Sequence, residues 1–286
     1  MTNISVTITG LYSYPVKSCK PVALTSTVLT PQGIPYDRHW MIVNDENVFV
    51  TQRQNSKLAL IESALTEQGL QLSLPGAEPI TIAYAMPQGE IINTEVWGAP
   101  CVAIDEGAAV SQWLTQQLHS DKPLRLVRMA GDFIRLQNEP ALQAAGNTNQ
   151  HHVHFADAAP YLIANEASLE ALNKALILAG EQPVPMNRFR PNIIIKGLPA
   201  FAEHNISSLG NQHCELNFKM ACERCIITTI DQQTGQRDPA MQPFKLLKTL
   251  NGSADEKSSP MFGCYAGLEK GESVELMVAD ELVVVA

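Results

Sequence analysis

From Ile4 onward, apolar and polar residues alternate, with Ile4, Val6 and Ile8 set between Ser5, Thr7 and Thr9. A period of two puts successive side chains on opposite faces, which suits a strand and not a helix. Short runs of the same kind follow at residues 22–29, 40–43, 70–74, 80–83 and 96–104. Pro15, Pro31, Gly33, Pro35, Pro75, Gly76 and Gly98 punctuate them. Proline and glycine end strands and open turns, so the first hundred residues predict a sheet or barrel of many short strands.

The period then changes. Val110, Trp113, Leu114 and Leu118 fall at helical spacing, and Asp105 is a candidate cap. A clearer helix has Asn165 as N-cap, a face of Leu169, Leu172, Ala175, Leu176 and Ala179, and Gly180 as its stop. Further strands are expected at 192–195, 216–220, 226–230, 274–278 and 282–285. Pro243 should open a short helix ending near Gly252. The polar stretch 131–154 reads as a loop or linker. The expected fold class is mixed α/β and β-rich, with a boundary near residue 120 that separates a β-rich first part from a mixed second part.

A chain of 286 residues with 45% hydrophobic composition can bury a substantial core. Its formal net charge of -9 argues against a nucleic-acid partner, whose affinity rests on neutralising phosphates. A local basic pocket is compatible with that average. The opening MTNISVTITG has neither a basic nor an apolar leader region, so no secretory signal is expected. No run approaches the roughly 18 apolar residues of a membrane helix, so no membrane partner is expected either. Six cysteines are too few for a disulfide scaffold of this size and suit reduced thiols in a cytoplasm.

The sharpest local motif is Cys222-Glu223-Arg224-Cys225. A structural zinc site needs four ligands, and Cys19, Cys101, Cys214 and Cys264 are all single. A redox dithiol sits at a helix N-terminus, whereas the run after Cys225 is β-branched and predicts a strand. A lone thiolate ligand, favoured by the Arg224 cation, and two small core residues at a strand start both stay open. In Arg188-Phe189-Arg190-Pro191-Asn192, Pro191 should hold Arg190 extended, so that Arg188 and Arg190 share a side. Paired guanidiniums suit a phosphate or carboxylate, and an exposed basic strand edge is the other reading. Lys17-Ser18 and Arg38, each alone, read as solvated charge. His151, His152 and His154 read as a solvated cluster.

Taken together, the fragments resemble the MOSC superfamily, in particular the mitochondrial amidoxime reducing component and its bacterial relatives. In the first half they are Tyr14-Pro15-Val16-Lys17-Ser18-Cys19, Tyr36-Asp37-Arg38-His39-Trp40, Thr51-Gln52-Arg53-Gln54 and Val96-Trp97. In the second half they are Asp157-Ala158-Ala159-Pro160, Asn165 to Leu169, Arg188 to Asn192, Cys222 to Cys225 with Thr228-Thr229, Asp231 to Gly235, and Phe262-Gly263. Their order and spacing make the match specific. The resemblance implies a MOSC N-terminal β-barrel domain over 1–120 followed by a MOSC domain, a mixed β-barrel with helices, over 121–286. It also implies a molybdenum cofactor, Mo-molybdopterin, whose pyranopterin binds the metal with one protein thiolate as a further ligand. That ligand falls on Cys225. Contacts to the cofactor fall on Lys17, Ser18, Arg38, Asp157, Arg190, Asn192, Glu223 and Arg224, and Lys17, Arg38 and Arg190 would converge on its phosphate. Arg188 is added on the physical ground given above.

The implied activity is reduction of small N-hydroxylated compounds, namely hydroxylamines, amidoximes and N-hydroxylated nucleobases. Electrons would come from a separate flavoprotein or ferredoxin-type donor. Ala158 and Ala159 stand where relatives often carry hydroxyls, so backbone groups would make contact there. Glu223 is an acid near the expected phosphate and needs Arg224 or Arg190 to offset it. The cysteine cluster of an iron–sulfur domain, present at the C-terminus of some relatives, is not found. Two rival readings are a non-catalytic carrier of the cofactor and a sulfur carrier with a persulfide on Cys225.

Overall fold

The computed structural model describes residues 4–131, 133, 135, 153–251 and 259–285. Its first half runs β1 (Ser5–Ser13), β2 (Val22–Leu24), β3 (Ser26–Val28), β4 (Trp40–Val43), β5 (Glu62–Thr66), β6 (Gly69–Ser73), β7 (Ile80–Ala83), β8 (Ile91–Val96), β9 (Ala99–Asp105), α1 (Ala108–Gln117) and β10 (Arg125–Met129). The second runs β11 (Tyr161–Asn165), α2 (Glu166–Leu178), β12 (Ile193–Lys196), β13 (Ser208–Gly210), β14 (Glu215–Glu223), α3 (Phe244–Asn251), β15 (Met261–Lys270), β16 (Glu275–Met277) and β17 (Glu281–Val285). The fold is mixed α/β and dominated by strands, as expected.

Seven strands close a barrel in the order β12, β11, β15, β14, β13, β17 and β1, with β1 pairing back onto β12. β11 and β12 are parallel and the other pairs antiparallel. The alternation in β1 aims Val6 and Ile8 inward, where they meet Ile163, Ile193, Ile195, Leu216 and Leu282. Burying each such side chain stabilises the fold by about 1.5–3 kcal/mol. The strand nearest the start of the chain is thus one stave of a barrel whose other staves lie beyond residue 160.

From β4 to β10 the first half forms a four-stranded sheet, β4-β10-β9-β8, and a three-stranded sheet, β5-β6-β7. Between them and α1 lies a second core that includes Trp40, Ile42, Leu70, Ile82, Val110, Trp113 and Leu114. Arg128 is buried against it. Its guanidinium donates to Glu106 at 2.6 and 3.0 Å and to the Tyr84 and Ala83 carbonyls at 2.7 Å. Trp40 Nε1 donates to the same carboxylate at 2.5 Å. Removing one partner of such a buried pair costs about 3–5 kcal/mol.

Several expectations are revised. Residues 22–29 split at Thr25, because β2 pairs with β1 while β3 pairs with β16. Residues 96–104 contain the hairpin turn Trp97-Gly98, whose φ values of 52° and 77° suit a two-residue turn between twisted strands. Residues 226–229 form a 3-10 turn in place of a strand. The hydroxyls of Thr228 and Thr229 donate to the carbonyls of Cys225 and Ile226 at 3.0 and 2.7 Å, competing with ladder pairing. Asp105 does not cap α1 directly. Gly107 is the N-cap, and Asp105 Oδ1 accepts its N–H at 2.7 Å. Asn165 does cap α2, and Gly180 follows it at φ 79°. α3 begins one residue after Pro243; Gly252 lies outside the described residues, as does most of 131–154.

Candidate functional site

The long strand β14 delivers Cys222 and Glu223 to the end of the barrel, and the 3-10 turn carries the chain away again. At the junction Cys222 is buried, Glu223 exposed, and Arg224 and Cys225 half-buried. The Arg224 guanidinium donates to Cys222 Sγ at 2.7 Å and to the Phe189 carbonyl at 2.8 Å. Tyr265 hydrogen-bonds the same thiol from β15. Burial nonetheless pushes the Cys222 thiol up, with Arg224 opposing. The cation in the motif therefore engages the first cysteine, while Cys225 also lines the cavity and, among the described residues, has no guanidinium bound to its sulfur.

That cavity is lined on its other side by Lys17, Ser18, Arg38, Asp157, Arg190 and Asn192. Lys17 follows β1 in a loop where Ser18 has φ 71°. It is 5% exposed, which rules out a solvated surface charge. Its ammonium donates to the Phe155 carbonyl at 2.8 Å and pairs with Asp157. Burial lowers the Lys17 pKa and Asp157 opposes the shift. Asp157 is half exposed; the desolvation it meets at the cavity wall works against its ionising, but Lys17, the Trp97 indole and Arg38 outweigh it and hold the carboxyl below its ordinary range.

Arg38 and Arg190 adopt left-handed backbone, with φ 47° and 55°. The Arg38 guanidinium donates to Asp37 at 2.5 Å, to Asn192 Oδ1 at 3.2 Å and to the Arg190 carbonyl at 3.3 Å. Asn192 Nδ2 in turn donates to Asp37 Oδ1 at 3.0 Å. Arg190 donates to the Cys19 carbonyl at 2.8 Å. Burial, with Arg38 alongside, lowers Arg190 to about 10, so it keeps its charge at neutral pH. Lys17, Arg38 and Arg190 thus meet in one cavity from three separate segments.

Arg188 is elsewhere. Residues 186–188 form a 3-10 turn and Arg190 is not extended, so the expected shared side is lost. The Arg188 guanidinium donates to Asp231 at 2.9 Å and to the Thr228 carbonyl at 3.3 Å, and it does not line the cavity. It braces the 3-10 turn behind Cys225. Glu223 lines the rim without pairing with Arg224, whose donors go to Cys222 and Phe189. Ala159 lines the cavity; Ala158 is buried outside its lining. His154 is half-buried with its ring 4.5 Å from that of His39, while His151 and His152 lie outside the described residues.

Sequence reasoning missed other parts of the site. Asp37 is 4% exposed and accepts from Tyr14 N–H, Arg38 and Asn192. Gln52 and Gln232, both buried, exchange two amide hydrogen bonds at 3.0 Å, and Gln52 also donates to the Ser18 carbonyl at 2.7 Å. They clasp the Lys17-Ser18 loop to the segment after Cys225. Trp97 and Arg53 stand at the rim, with the guanidinium 4.5 Å from the indole ring. Asp37 lay inside a quoted motif, but nothing in its spacing distinguished it from a surface acid.

Lys17 and Arg38 are paired with Asp157 and Asp37, and two further cations of the site are not neutralised in this way. Among the described residues neither Arg190 nor Arg224 has a carboxylate partner, and Arg224 Nε is buried with no hydrogen-bond partner at all. Such a donor set suits an anionic ligand carrying phosphate, and Cys225 sets one thiol beside it.

The chain matches two protein families in turn, the MOSC N-terminal beta barrel domain over residues 5–121 and the MOSC domain over residues 150–283. It is 32% identical to mitochondrial amidoxime-reducing component 1 of Homo sapiens, covering 94% of this chain and 81% of the relative. Mitochondrial amidoxime reducing component 2 of Bos taurus is 31% identical over 94% of this chain and 81% of its own length. Component 1 of Xenopus laevis is 30% identical over 92% and 78%. With both domains matched in order and these relatives aligned along most of their length, the chain belongs to the MOSC-domain family of the mitochondrial amidoxime reducing components.

Proposed function

We propose that the chain is a molybdenum-cofactor-dependent reductase of small N-hydroxylated compounds, supplied with electrons by a separate flavoprotein or ferredoxin-type donor. The observation that carries this reading is the cavity that joins the Cys225 thiol to Lys17, Arg38, Arg190 and an Arg224 with an unpartnered buried N–H. When bound, the cofactor would supply two-electron chemistry that, with two protons, converts an N–OH group to N–H and releases its oxygen as water, leaving an amine or amidine. The chain's own residues do the rest. Cys225 gives the metal a thiolate. Arg38, Arg190 and Arg224 hold the cofactor phosphate, with Asn192 and Ser18 beside them. Lys17 and Asp157 form a charge-compensated pair at the cavity wall. Glu223 and Ile227 border the entry on the thiol side, and Trp97 and Arg53 border it opposite. All six cysteines are free, which supports a reducing, cytoplasmic setting. Among the described residues no helix is long and apolar enough to cross a membrane.

The test combines elemental analysis of protein made in a cofactor-competent host with turnover of an N-hydroxylated base under artificial reductant. Stoichiometric molybdenum with turnover is expected. Full molybdenum without turnover would favour a cofactor carrier, and labile sulfane sulfur without molybdenum a sulfur carrier.

A further inference from the structure

Two guanidiniums of like charge stand over one aromatic ring. The Cζ atoms of Arg38 and Arg190 each lie 4.4 Å from the centroid of the Tyr14 ring. Tyr14 is 1% exposed and does not itself line the cavity. Its hydroxyl donates to the Pro191 carbonyl at 3.1 Å, its N–H donates to Asp37 Oδ1 at 2.8 Å, and its carbonyl accepts the Arg38 N–H at 2.8 Å. The ring is therefore fixed from both the backbone and the hydroxyl end. Arg38 has one carboxylate, Asp37, and Arg190 has none among the described residues.

Two like charges enclosed together repel, and long side chains relieve that by turning away unless something holds them. The face of an aromatic ring carries partial negative charge and attracts a cation without neutralising it. A carboxylate in the same place would hold the arginines just as firmly but would cancel the charge that an incoming anion needs. We infer that Tyr14 is a positioning residue for anion binding, its ring face keeping Arg38 and Arg190 aimed into the cavity for a phosphate monoester. This rests on the reading of the cavity as a cofactor phosphate pocket and adds to it a residue that touches no ligand. The ring, not the hydroxyl, does the holding, since the hydroxyl is directed at Pro191.

The test uses full-length protein from a host unable to make pterin, titrated with inorganic phosphate in a calorimeter. Wild type is compared with Tyr14→Phe, Tyr14→Leu, and phenylalanine analogues with one, two and three ring fluorines at position 14. Fluorine withdraws charge from the ring face while changing its size little. Tyr14→Phe should bind phosphate within about threefold of wild type, and the fluorinated series should weaken stepwise to about tenfold, as loss of a cation–π contact implies. Tyr14→Leu should be at least about tenfold weaker by the same reasoning. Affinity that is flat across the fluorinated series, or Tyr14→Phe as weak as Tyr14→Leu, would overturn the role of Tyr14 and leave the phosphate pocket standing. If Tyr14→Leu fails to fold, the fluorinated series decides alone. A wild type that binds no phosphate would remove the pocket and this inference together.

Discussion

Trp97 donates its indole N–H to Asp157 Oδ1 at 2.8 Å. The donor sits at the tip of the β8–β9 hairpin, and the acceptor is the acid that also pairs with Lys17. One hydrogen bond thus ties a turn of the first half to the charged wall of the cavity. Trp97→Phe keeps an aromatic ring for Arg53 and Phe49 and removes only the donor. Local desolvation opposes ionisation of Asp157, although its side chain is half exposed, and Lys17 and Trp97 are among the groups that hold its carboxyl below the ordinary range. A depressed folded value stabilises the protein above the unfolded aspartate value of about 3.9, and that contribution is lost as pH falls through the folded value. The variant should therefore show a higher carboxyl titration point for Asp157 by NMR and unfold in acid at a higher pH than wild type. An unchanged acid midpoint would mean that the indole contributes nothing to the acid's state.

The two cysteines of the motif should separate by function. Cys225→Ser should lose both metal and turnover, because Cys225 is the thiol that lines the cavity without a guanidinium bound to it. Cys222→Ser keeps an acceptor for Arg224 and should retain most of the molybdenum. Cys222→Ala leaves a second Arg224 donor unpartnered beside the orphaned Nε, at a cost of about 1–3 kcal/mol. Metal content and thermal midpoints of the three variants read this out. Equal loss of molybdenum in both serine variants, with zinc in the wild type, would sink the single-ligand assignment.

Arg188 and Arg190 are two residues apart and should fail in opposite ways. Arg190→Ala removes a cavity cation without a carboxylate partner, so it should fold normally yet purify largely without pterin. Losing one side of a buried charged contact costs about 2–5 kcal/mol. Arg188→Ala removes the brace to Asp231 and the Thr228 carbonyl and should lower stability by about 1–3 kcal/mol while the protein that folds still binds pterin. Pterin fluorescence per folded chain, set against the melting curve, distinguishes the two. The same pattern in both variants would show that they serve one purpose after all.

The readable parts of the fold were those in which one local rule dominates. Asn165 caps α2 because its side chain accepts the Ala167 N–H, a bond set by residues two apart. The inward face of β1 follows from alternation alone. Alternation does not predict β15, the longest strand among the described residues, because its run of Met261 to Lys270 is flanked by paired strands on both sides and shows no alternation. At 226–229 β-branching predicts a strand, and back-bonding by the Thr228 and Thr229 hydroxyls overrides it. At the site, the family motifs contain Lys17, Arg38, Arg190 and Cys225, which line one cavity. The left-handed backbone of Arg190, the direction of Arg224 toward Cys222, and the Tyr14–Asp37 hub depend on contacts between segments more than a hundred residues apart, and no spacing within one segment encodes them.

The proposed reductase reading calls for electrons from a separate donor. The proposed reaction needs two per turnover. The 286 residues contain no G-x-G-x-x-G turn for a dinucleotide and no clustered cysteines for an iron–sulfur centre. Five of the six cysteines are buried at dispersed positions, and only Cys225 is partly open. Direct hydride delivery from NADH would require the nicotinamide to reach past a rim formed by Trp97, Arg53 and Glu223, with no phosphate-binding turn to anchor the dinucleotide. Purified, molybdenum-loaded protein should therefore give no more than about a hundredth of its full rate with NADH alone, a loss of at least two factors of ten in rate. Adding a flavoprotein or ferredoxin-type reductase, or a chemical reductant, should restore the full rate. Full turnover with NADH and nothing else would reveal an electron-entry site within the chain itself. Because a chemical reductant bypasses protein docking, activity with it but with none of the protein donors would fault only the class of partner and leave the chemistry at Cys225 intact.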